Sequence, residues 1–177
     1  MVVIALVGLP GSGKSEVASL LEKRGFTRIR FGDITAAEIK KRRLPPGEES
    51  ERLIREGLRQ DIGMHAYAFL NLERIKAAKG DVAIDGMYSL EEYEYLMEEL
   101  KDIVVIAVYA PQQLRYKRLA ERKTRSLSPE EARKRDIAQV ENLNILGPIA
   151  RADYTLINDG SLEVLKGRLE DILKDMA

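Results

Sequence analysis

The chain has 177 residues, 45% of them hydrophobic, and its 29 lysines and arginines balance 29 aspartates and glutamates. This length and composition predict one domain over residues 1–177 with a sizeable core, and the zero net charge gives no reason to expect nucleic acid or an anionic membrane as a partner. Cysteine is absent and His65 is the single histidine, which excludes disulfides, thiolate catalysis and metal sites built from several Cys or His side chains.

The first predicted element is a buried strand at residues 2–7, an apolar run that leads directly into glycines. It lacks the basic leader and the small-residue cleavage site of a secretory signal. No apolar run approaches the roughly 20 residues that a membrane-spanning helix needs. We therefore expect a cytoplasmic protein without a membrane partner.

The next segment, residues 8–15, matches the pattern G-x-x-x-x-G-K-[ST] between this strand and an amphipathic helix. Glycines at these positions let successive backbone N–H groups converge on phosphate, and the helix N-terminus adds positive potential. Lys14 is predicted to reach the β and γ phosphates of ATP, and Ser15 to ligate Mg²⁺. The predicted nucleotide-binding residues are Gly8, Pro10, Gly11, Ser12, Gly13, Lys14, Ser15 and Glu16.

Further strand-like runs follow at residues 27–31, 82–84, 103–109 and 154–157, separated by helical patterns. Short, continuously apolar strands are typical of a parallel sheet that is covered on both faces. The predicted fold is therefore a three-layer α/β P-loop NTPase fold, with a five-stranded parallel sheet flanked by helices. Ser89 and Ser128 each begin a capping-box pattern and predict helix starts.

Two long excursions interrupt this alternation, a mostly helical insertion at about 33–80 and a charged segment at about 111–148. Both follow strands, and in open α/β sheets ligands bind beyond the carboxyl ends of the strands. Each excursion is therefore placed to cover a ligand.

Asp85 directly follows the apolar run 82–84, where a P-loop enzyme needs a carboxylate for hydrated Mg²⁺. Without the P-loop, the pair Asp85-Gly86 would indicate an ordinary turn. Tyr88, just beyond this pair, is a candidate to stack on a base.

An arginine series recurs every three or four residues after the fourth strand, and a helix would place much of its charge on one face. Phosphoryl transfer requires positive charge of this kind. The alternative is a solvated helix face with acidic counter-charges. The series consists of Arg115, Arg118, Arg122 and Arg125.

With these motifs in place, the chain resembles the adenylate kinase and nucleoside monophosphate kinase group over nearly its whole length. It is most similar to an archaeal P-loop family without an assigned activity that is also related to dephospho-CoA kinase. The resemblance implies that the segment 111–148 contains a short lid and that Arg118, Arg122 and Arg125 are catalytic. It also implies that Asn158, Gly160 and Ser161 contact the donor adenine, and it places Asp33 and Gly86 on the acceptor side.

Two departures from the adenylate kinase pattern concern the acceptor phosphate. Ala36 stands where that group carries an arginine after the Gly-Asp pair, and Tyr88 and Ser89 stand where it carries another after Asp-Gly. Arg55 and Arg59 could substitute from a different direction.

The leading hypothesis is an ATP- and Mg²⁺-dependent phosphotransferase acting on a small nucleotide-like acceptor, such as AMP or another nucleoside monophosphate. One alternative is a dephospho-CoA kinase-like activity. Another is a non-catalytic ATP- or ADP-binding switch, which the absent acceptor arginines would suit. The sequence does not define the oligomeric state.

Overall fold

The computed structural model describes residues 1–123 and 125–176, and in them five parallel strands form one sheet in the order β2-β3-β1-β4-β5. The sheet and its helical layers confirm the predicted α/β architecture. Strands β1 and β3 are buried at every position, as expected for continuously apolar strands inside a parallel sheet. The strands are β1 (Val3–Val7), β2 (Thr27–Arg30), β3 (Val82–Asp85), β4 (Ile103–Tyr109) and β5 (Tyr154–Ile157).

Two helices begin at the capping residues that the sequence predicts. Ser128 forms a complete capping box with Glu131, and Ser89 accepts a hydrogen bond from the backbone N–H of Glu92. The helices are α1 (Lys14–Glu22), α2 (Asp33–Lys41), α3 (Glu48–Ile62), α4 (Ala66–Lys76), α5 (Leu90–Glu99), α6 (Gln112–Ala120), α7 (Pro129–Leu143), α8 (Leu146–Ala150) and α9 (Leu162–Asp175).

The core is divided by the sheet into two layers, because successive side chains of a strand point to opposite faces. On one face, Ile4 and Leu6 of β1 pack with Val17 and Leu21 of α1 and with α9. On the other face, the alternate residues of β1 pack with α3, α4 and α5. No helix of the described residues is long and apolar enough to cross a membrane.

The ends of β1 and β3 define where a ligand can bind. Strand β1 is central, and the pairing of Leu6 with Asp85 brings the segment after β1 beside the end of β3. Strands β3 and β4 lie on opposite sides of β1. Where the strand order reverses in this way, a crevice opens at the carboxyl edge of a parallel sheet. Helices α2 to α4 lie in the predicted 33–80 insertion, and α6 and α7 lie in the predicted 111–148 segment, whose boundary falls inside α8.

Candidate functional site

The glycine-rich loop at residues 8–15 is wedged between two other elements. A Cβ at Gly11, where φ is +79°, would lie 2.6 Å from the carbonyl oxygen of Arg115 in α6. At Gly13, where φ is +105°, it would lie 2.1 Å from the side-chain nitrogen of Asn158. Any other residue at these positions would therefore meet both steric overlap and an unfavourable backbone conformation. The start of α1 has no side-chain cap, which leaves its first N–H groups available to an anion.

The side chain of Lys14 folds back onto the glycine-rich loop and binds its backbone. Its Nζ donates to the carbonyl oxygens of Gly8 at 2.6 Å and Leu9 at 3.2 Å. Burial lowers the pKa of Lys14 to about 8, although nearby Asp85 opposes the shift. The ammonium group is thus held by neutral carbonyls, and phosphate oxygens could replace them as stronger partners.

Ser15 and Asp85 meet at the end of β3, as required for the metal site that the sequence predicts. Ser15 Oγ donates to Asp85 Oδ1 at 3.2 Å, while Arg28 Nη2 donates to Oδ2 at 2.5 Å. Within residues 1–123 and 125–176, no group of three or more His, Cys, Asp or Glu side chains converges on a metal site. One carboxylate and one hydroxyl suit Mg²⁺, which usually completes its octahedral shell with phosphate oxygens and water.

The arginine series does not share one helix face, so that expectation was wrong. Helix α6 ends at Ala120, and the backbone N–H of Leu127 returns to the carbonyl of Leu119, so Arg122 and Arg125 lie beyond the helix.

Arg115 differs from the rest of the series because it is buried and bound on two sides. Its Nη1 donates to the carbonyl oxygen of Pro10 at 2.9 Å and to Asp136 Oδ1 at 2.9 Å, and its Nη2 donates to Oδ2 at 2.6 Å. This side chain joins the glycine-rich loop to α7.

Asn158, after β5, connects the same loop with α6. Its Nδ2 donates to the carbonyl oxygen of Ser12 at 2.8 Å, and Arg118 donates to its backbone oxygen at 3.1 Å and its side-chain oxygen at 3.2 Å. Gly160 lines the cleft, whereas the Ser161 hydroxyl caps α9 by accepting from the Val164 N–H. Of these three predicted adenine-side residues, Ser161 thus has a structural task as well.

These elements enclose a cleft of about 620 Å³ above the carboxyl edge of the sheet. Its wall contains one carboxylate, Glu16, and is otherwise strongly cationic, a composition that favours a polyanionic ligand. Arg30, at the end of β2, and Gln139, in α7, contribute to the wall but were not identified from sequence as ligand-binding. The cations of the wall are Lys14, Arg30, Arg118, Arg122, Arg125 and Arg135.

Like Lys14, Arg122 has an ionisation that its surroundings disfavour. Burial is the largest cause of the lowered pKa of Arg122, and the charges of Arg135 and Arg125 lower this pKa further. Cations that repel one another in a partly desolvated cleft are stabilised by an anion between them, so this cluster favours phosphate binding.

Tyr88 lines the same cleft, beside Lys14. Its ring covers Gly86, at which a Cβ would lie 2.9 Å from the phenol oxygen, and Lys14 Nζ is 5.9 Å from the ring centroid. The Tyr88 backbone N–H donates to Glu92 Oε2 at 2.7 Å. Glu92 is fully buried, its Oε1 has no partner within residues 1–123 and 125–176, and burial raises its pKa to about 7.

The other predicted acceptor residues do not line the cleft. Arg55 is paired with Glu48 at 2.6 Å and with Glu51 at 3.3 Å, and Arg59 lies 5.4 Å over the Tyr67 ring. Asp33 is exposed in the first turn of α2. Glu51 also forms an ion pair with Arg125, which connects the segment after α6 with α3.

Comparison with known proteins identifies relatives over nearly the full chain. A family model described as an AAA domain matches residues 4–141. The UPF0200 protein of Sulfurisphaera tokodaii is 37% identical over 176 residues, covering 97% of this chain and 96% of that protein. The UPF0200 protein of Thermococcus kodakarensis is 35% identical and covers 98% and 97%.

Solved structures show the same architecture. TT1252 from Thermus thermophilus superimposes with a TM-score of 0.71 at 22% identity, covering 99% of this chain and 98% of that chain. A shikimate kinase from Bacteroides thetaiotaomicron superimposes with a TM-score of 0.64 at 15% identity and covers 98% of each chain. These likenesses confirm the predicted three-layer P-loop fold.

Proposed function

The chain belongs to the UPF0200 family and to the AAA domain family, and from that premise we propose that it is an ATP- and Mg²⁺-dependent phosphotransferase acting on a small nucleotide-like acceptor. The observation that carries the proposal is the cationic cleft, where Lys14, the Ser15–Asp85 pair and arginines from separate elements converge. Transfer of a phosphoryl group depends on positioning and on charge stabilisation, and both are built into such a cleft.

In the proposed mechanism the glycine-rich loop holds the donor phosphates with its N–H groups. Lys14 leaves the carbonyls of Gly8 and Leu9 and contacts the β and γ phosphates. Ser15 and Asp85 would hold Mg²⁺, which neutralises phosphate charge when bound. An acceptor oxygen then forms a bond to the γ phosphorus while the bond to the β–γ bridging oxygen breaks, and ADP leaves with that oxygen.

The arginines have separate tasks in this proposal. Arg118, fixed through Asn158, orients the donor, while Arg122 and Arg125 stabilise the charge on the transferred group. Arg135 contributes from α7. Arg30 is 60% exposed and 3.9 Å from Asp85, and it is our candidate for contacting the acceptor in place of the arginines that Ala36 and Tyr88 replace.

The second candidate function is a nucleotide-binding switch, which the Arg125–Glu51 ion pair favours. Donor phosphates would compete with Glu51 for Arg125 and thereby alter the connection between the segment after α6 and the acceptor-side helix α3. An equilibrium of that kind could report the bound nucleotide to a partner.

A coupled ADP-release assay with ATP and Mg²⁺ tests the first proposal. The acceptor panel comprises nucleoside monophosphates and dephospho-CoA, and we expect turnover with one acceptor class. Lys14→Ala should reduce turnover by at least about 100-fold while the circular dichroism spectrum is retained. Lys23→Ala, an exposed substitution just after α1, is the matched control and should retain wild-type turnover.

Each alternative gives a different result in this assay. ATP binding without turnover on any acceptor would refute the transferase proposal and favour the nucleotide-binding switch. Turnover confined to dephospho-CoA would establish the dephospho-CoA kinase-like alternative. Full activity of Lys14→Ala would refute the assignment of the site.

A further inference from the structure

Asp85, the carboxylate of the predicted metal site, already has a cationic partner on the neighbouring strand. Arg28 and Arg30 are two residues apart on β2, so both project to the face of the sheet that α1 covers. Arg28 Nη2 lies 2.5 Å from Asp85 Oδ2, whereas Arg30 Nε lies at 3.9 Å. The Arg28 side chain is 14% exposed and that of Asp85 is 6% exposed, so water screens their interaction weakly.

Arg28 is held from a second side by the helix that follows the glycine-rich loop. Its Nη1 donates to Ser19 Oγ at 2.9 Å in α1, and Glu22 of the same helix lies 3.8 Å away. The planar fork of the guanidinium therefore joins β2, β3 and α1. With Oδ2 held in this way, Oδ1 is left facing Ser15.

The Arg28–Asp85 ion pair limits how strongly the protein without nucleotide could bind a divalent cation. A cation beside Oδ1 would share one carboxylate with a nearby guanidinium and would have only one hydroxyl as a further side-chain oxygen. Like charges at such short range in a poorly screened site repel strongly. The phosphates of a nucleotide would supply the missing negative charge and the missing oxygen ligands.

We propose that Arg28 is a positioning residue that directs Asp85 Oδ1 toward Ser15 and prevents the site from binding a divalent cation until a nucleotide polyphosphate brings it. The inference builds on the proposed function, because it specifies how the proposed metal site is kept closed to a free cation. It assigns Arg28 no contact with the nucleotide or with the reacting atoms.

The test is a titration with Mn²⁺ in which binding of the metal is monitored by electron paramagnetic resonance. It is carried out first without nucleotide and then with ATP. Arg28→Gln retains a hydrogen-bond donor for Asp85 but removes the positive charge. We expect its affinity for free Mn²⁺ to exceed that of the wild type by about tenfold or more. Arg28→Lys retains the charge and should bind free Mn²⁺ as weakly as the wild type.

Arg24→Gln provides the matched control, since Arg24 lies in the turn between α1 and β2 and pairs with Glu170 rather than Asp85. Its Mn²⁺ affinity should equal that of the wild type. An Arg28→Gln affinity for free Mn²⁺ that is unchanged or weaker would overturn the inference. An altered stability alone would not imitate the expected result, because the measured quantity is the metal affinity of folded protein.

A second comparison decides the question if Arg28→Gln does not fold. As a single substitution with Arg28 intact, Asp85→Asn should scarcely change the affinity for free Mn²⁺ relative to the wild type. It should weaken Mn²⁺ binding in the presence of ATP. A nucleotide-free Mn²⁺ site that Asp85→Asn abolishes would overturn the inference. The nucleotide-free Mn²⁺ measurements do not depend on catalysis. Absence of phosphoryl transfer would therefore refute the proposed function without changing the outcome of the Mn²⁺ test for Arg28.

Discussion

The proposed donor and acceptor sides of the cleft are organised differently. On the donor side, Lys14, Arg115, Arg118 and Asn158 are joined to the glycine-rich loop or to its neighbours by hydrogen bonds. On the proposed acceptor side, by contrast, Arg55 is paired with two carboxylates of its own helix, and Arg59 lies over the Tyr67 ring.

Buried polar atoms without partners occur on both sides of the cleft. In the described part of the chain they include Arg59 Nε and Glu92 Oε1 on the proposed acceptor side, and also Ser12 Oγ in the glycine-rich loop and Gln139 Oε1 in the cleft wall. Such atoms cost free energy, but they do not by themselves separate the two sides.

On the proposed assignment, the residues that hold the glycine-rich loop are preorganised, although donor phosphates would displace the present partners of Lys14 and Arg125. An acceptor that contacts Arg55 would have to displace both of its carboxylate partners. Preorganised donors of hydrogen bonds cost no reorganisation when charge develops during the reaction. An acceptor side that must rearrange couples binding of the correct acceptor to assembly of the site. Three substitutions test this difference between the two sides.

The largest effect should come from breaking the rigid side through Asp136→Asn. Asp136 and Arg115 have side chains that are 12% and 6% exposed, and removing one member leaves a buried charge without its partner. We expect a loss of about 3–5 kcal/mol in the free energy of unfolding, measured by urea denaturation. The control is Glu130→Gln in the same helix, whose exposed pair with Lys134 should contribute less than about 1 kcal/mol. Equal losses in both variants would argue against a special role for the buried pair.

The next effect concerns Glu92 on the acceptor side. Its folded-state pKa of about 7 lies above the ordinary value of 4.5, so the folded protein binds more protons between these values than the unfolded chain. Wild-type stability should therefore fall as pH rises from about 4.5 to 7. Glu92→Gln removes this penalty while its amide oxygen still accepts from the Tyr88 N–H.

Melting temperatures measured from pH 5 to pH 8 check this expectation. Glu92→Gln should gain stability over the wild type as pH rises, by up to about 3 kcal/mol at pH 8. Glu98→Gln, an exposed change in the same helix, should give a difference that does not vary with pH. A stability difference for Glu92→Gln that shrinks toward pH 8 would contradict the assigned direction.

The smallest effect is expected for Glu51→Gln, which releases Arg125. Exposed ion pairs contribute about 0.2–1 kcal/mol, so ATP affinity measured calorimetrically should rise by up to about fivefold. Glu48→Gln removes a partner of Arg55 but leaves the contact with Arg125 intact, and it should leave ATP affinity unchanged. Similar gains in the two variants would indicate a general charge effect rather than competition for Arg125.

The predictability of the site differed between its residues. The glycine-rich loop was recognisable because its glycines, its lysine and the flanking strand and helix are contiguous in sequence. Asp85 was recognisable from the apolar strand before it, and the parallel sheet then brought it to Ser15. Arg30 carried a weak signal, since it stands at the carboxyl end of a predicted strand, but one charged residue on a short strand does not identify a ligand-binding side chain.

Local sequence patterns were enough to predict the α/β layering and the glycine-rich loop, because hydrophobic periodicity and glycine geometry act over a few neighbouring residues. Which arginines face the cleft became visible only in the folded chain. Arg115 and Arg118 stand three residues apart on α6, yet one is buried against Asp136 and the other lines the cleft beside Asn158. Their roles depend on partners 21 and 40 residues away in the chain, and only folding brings those partners within hydrogen-bonding distance.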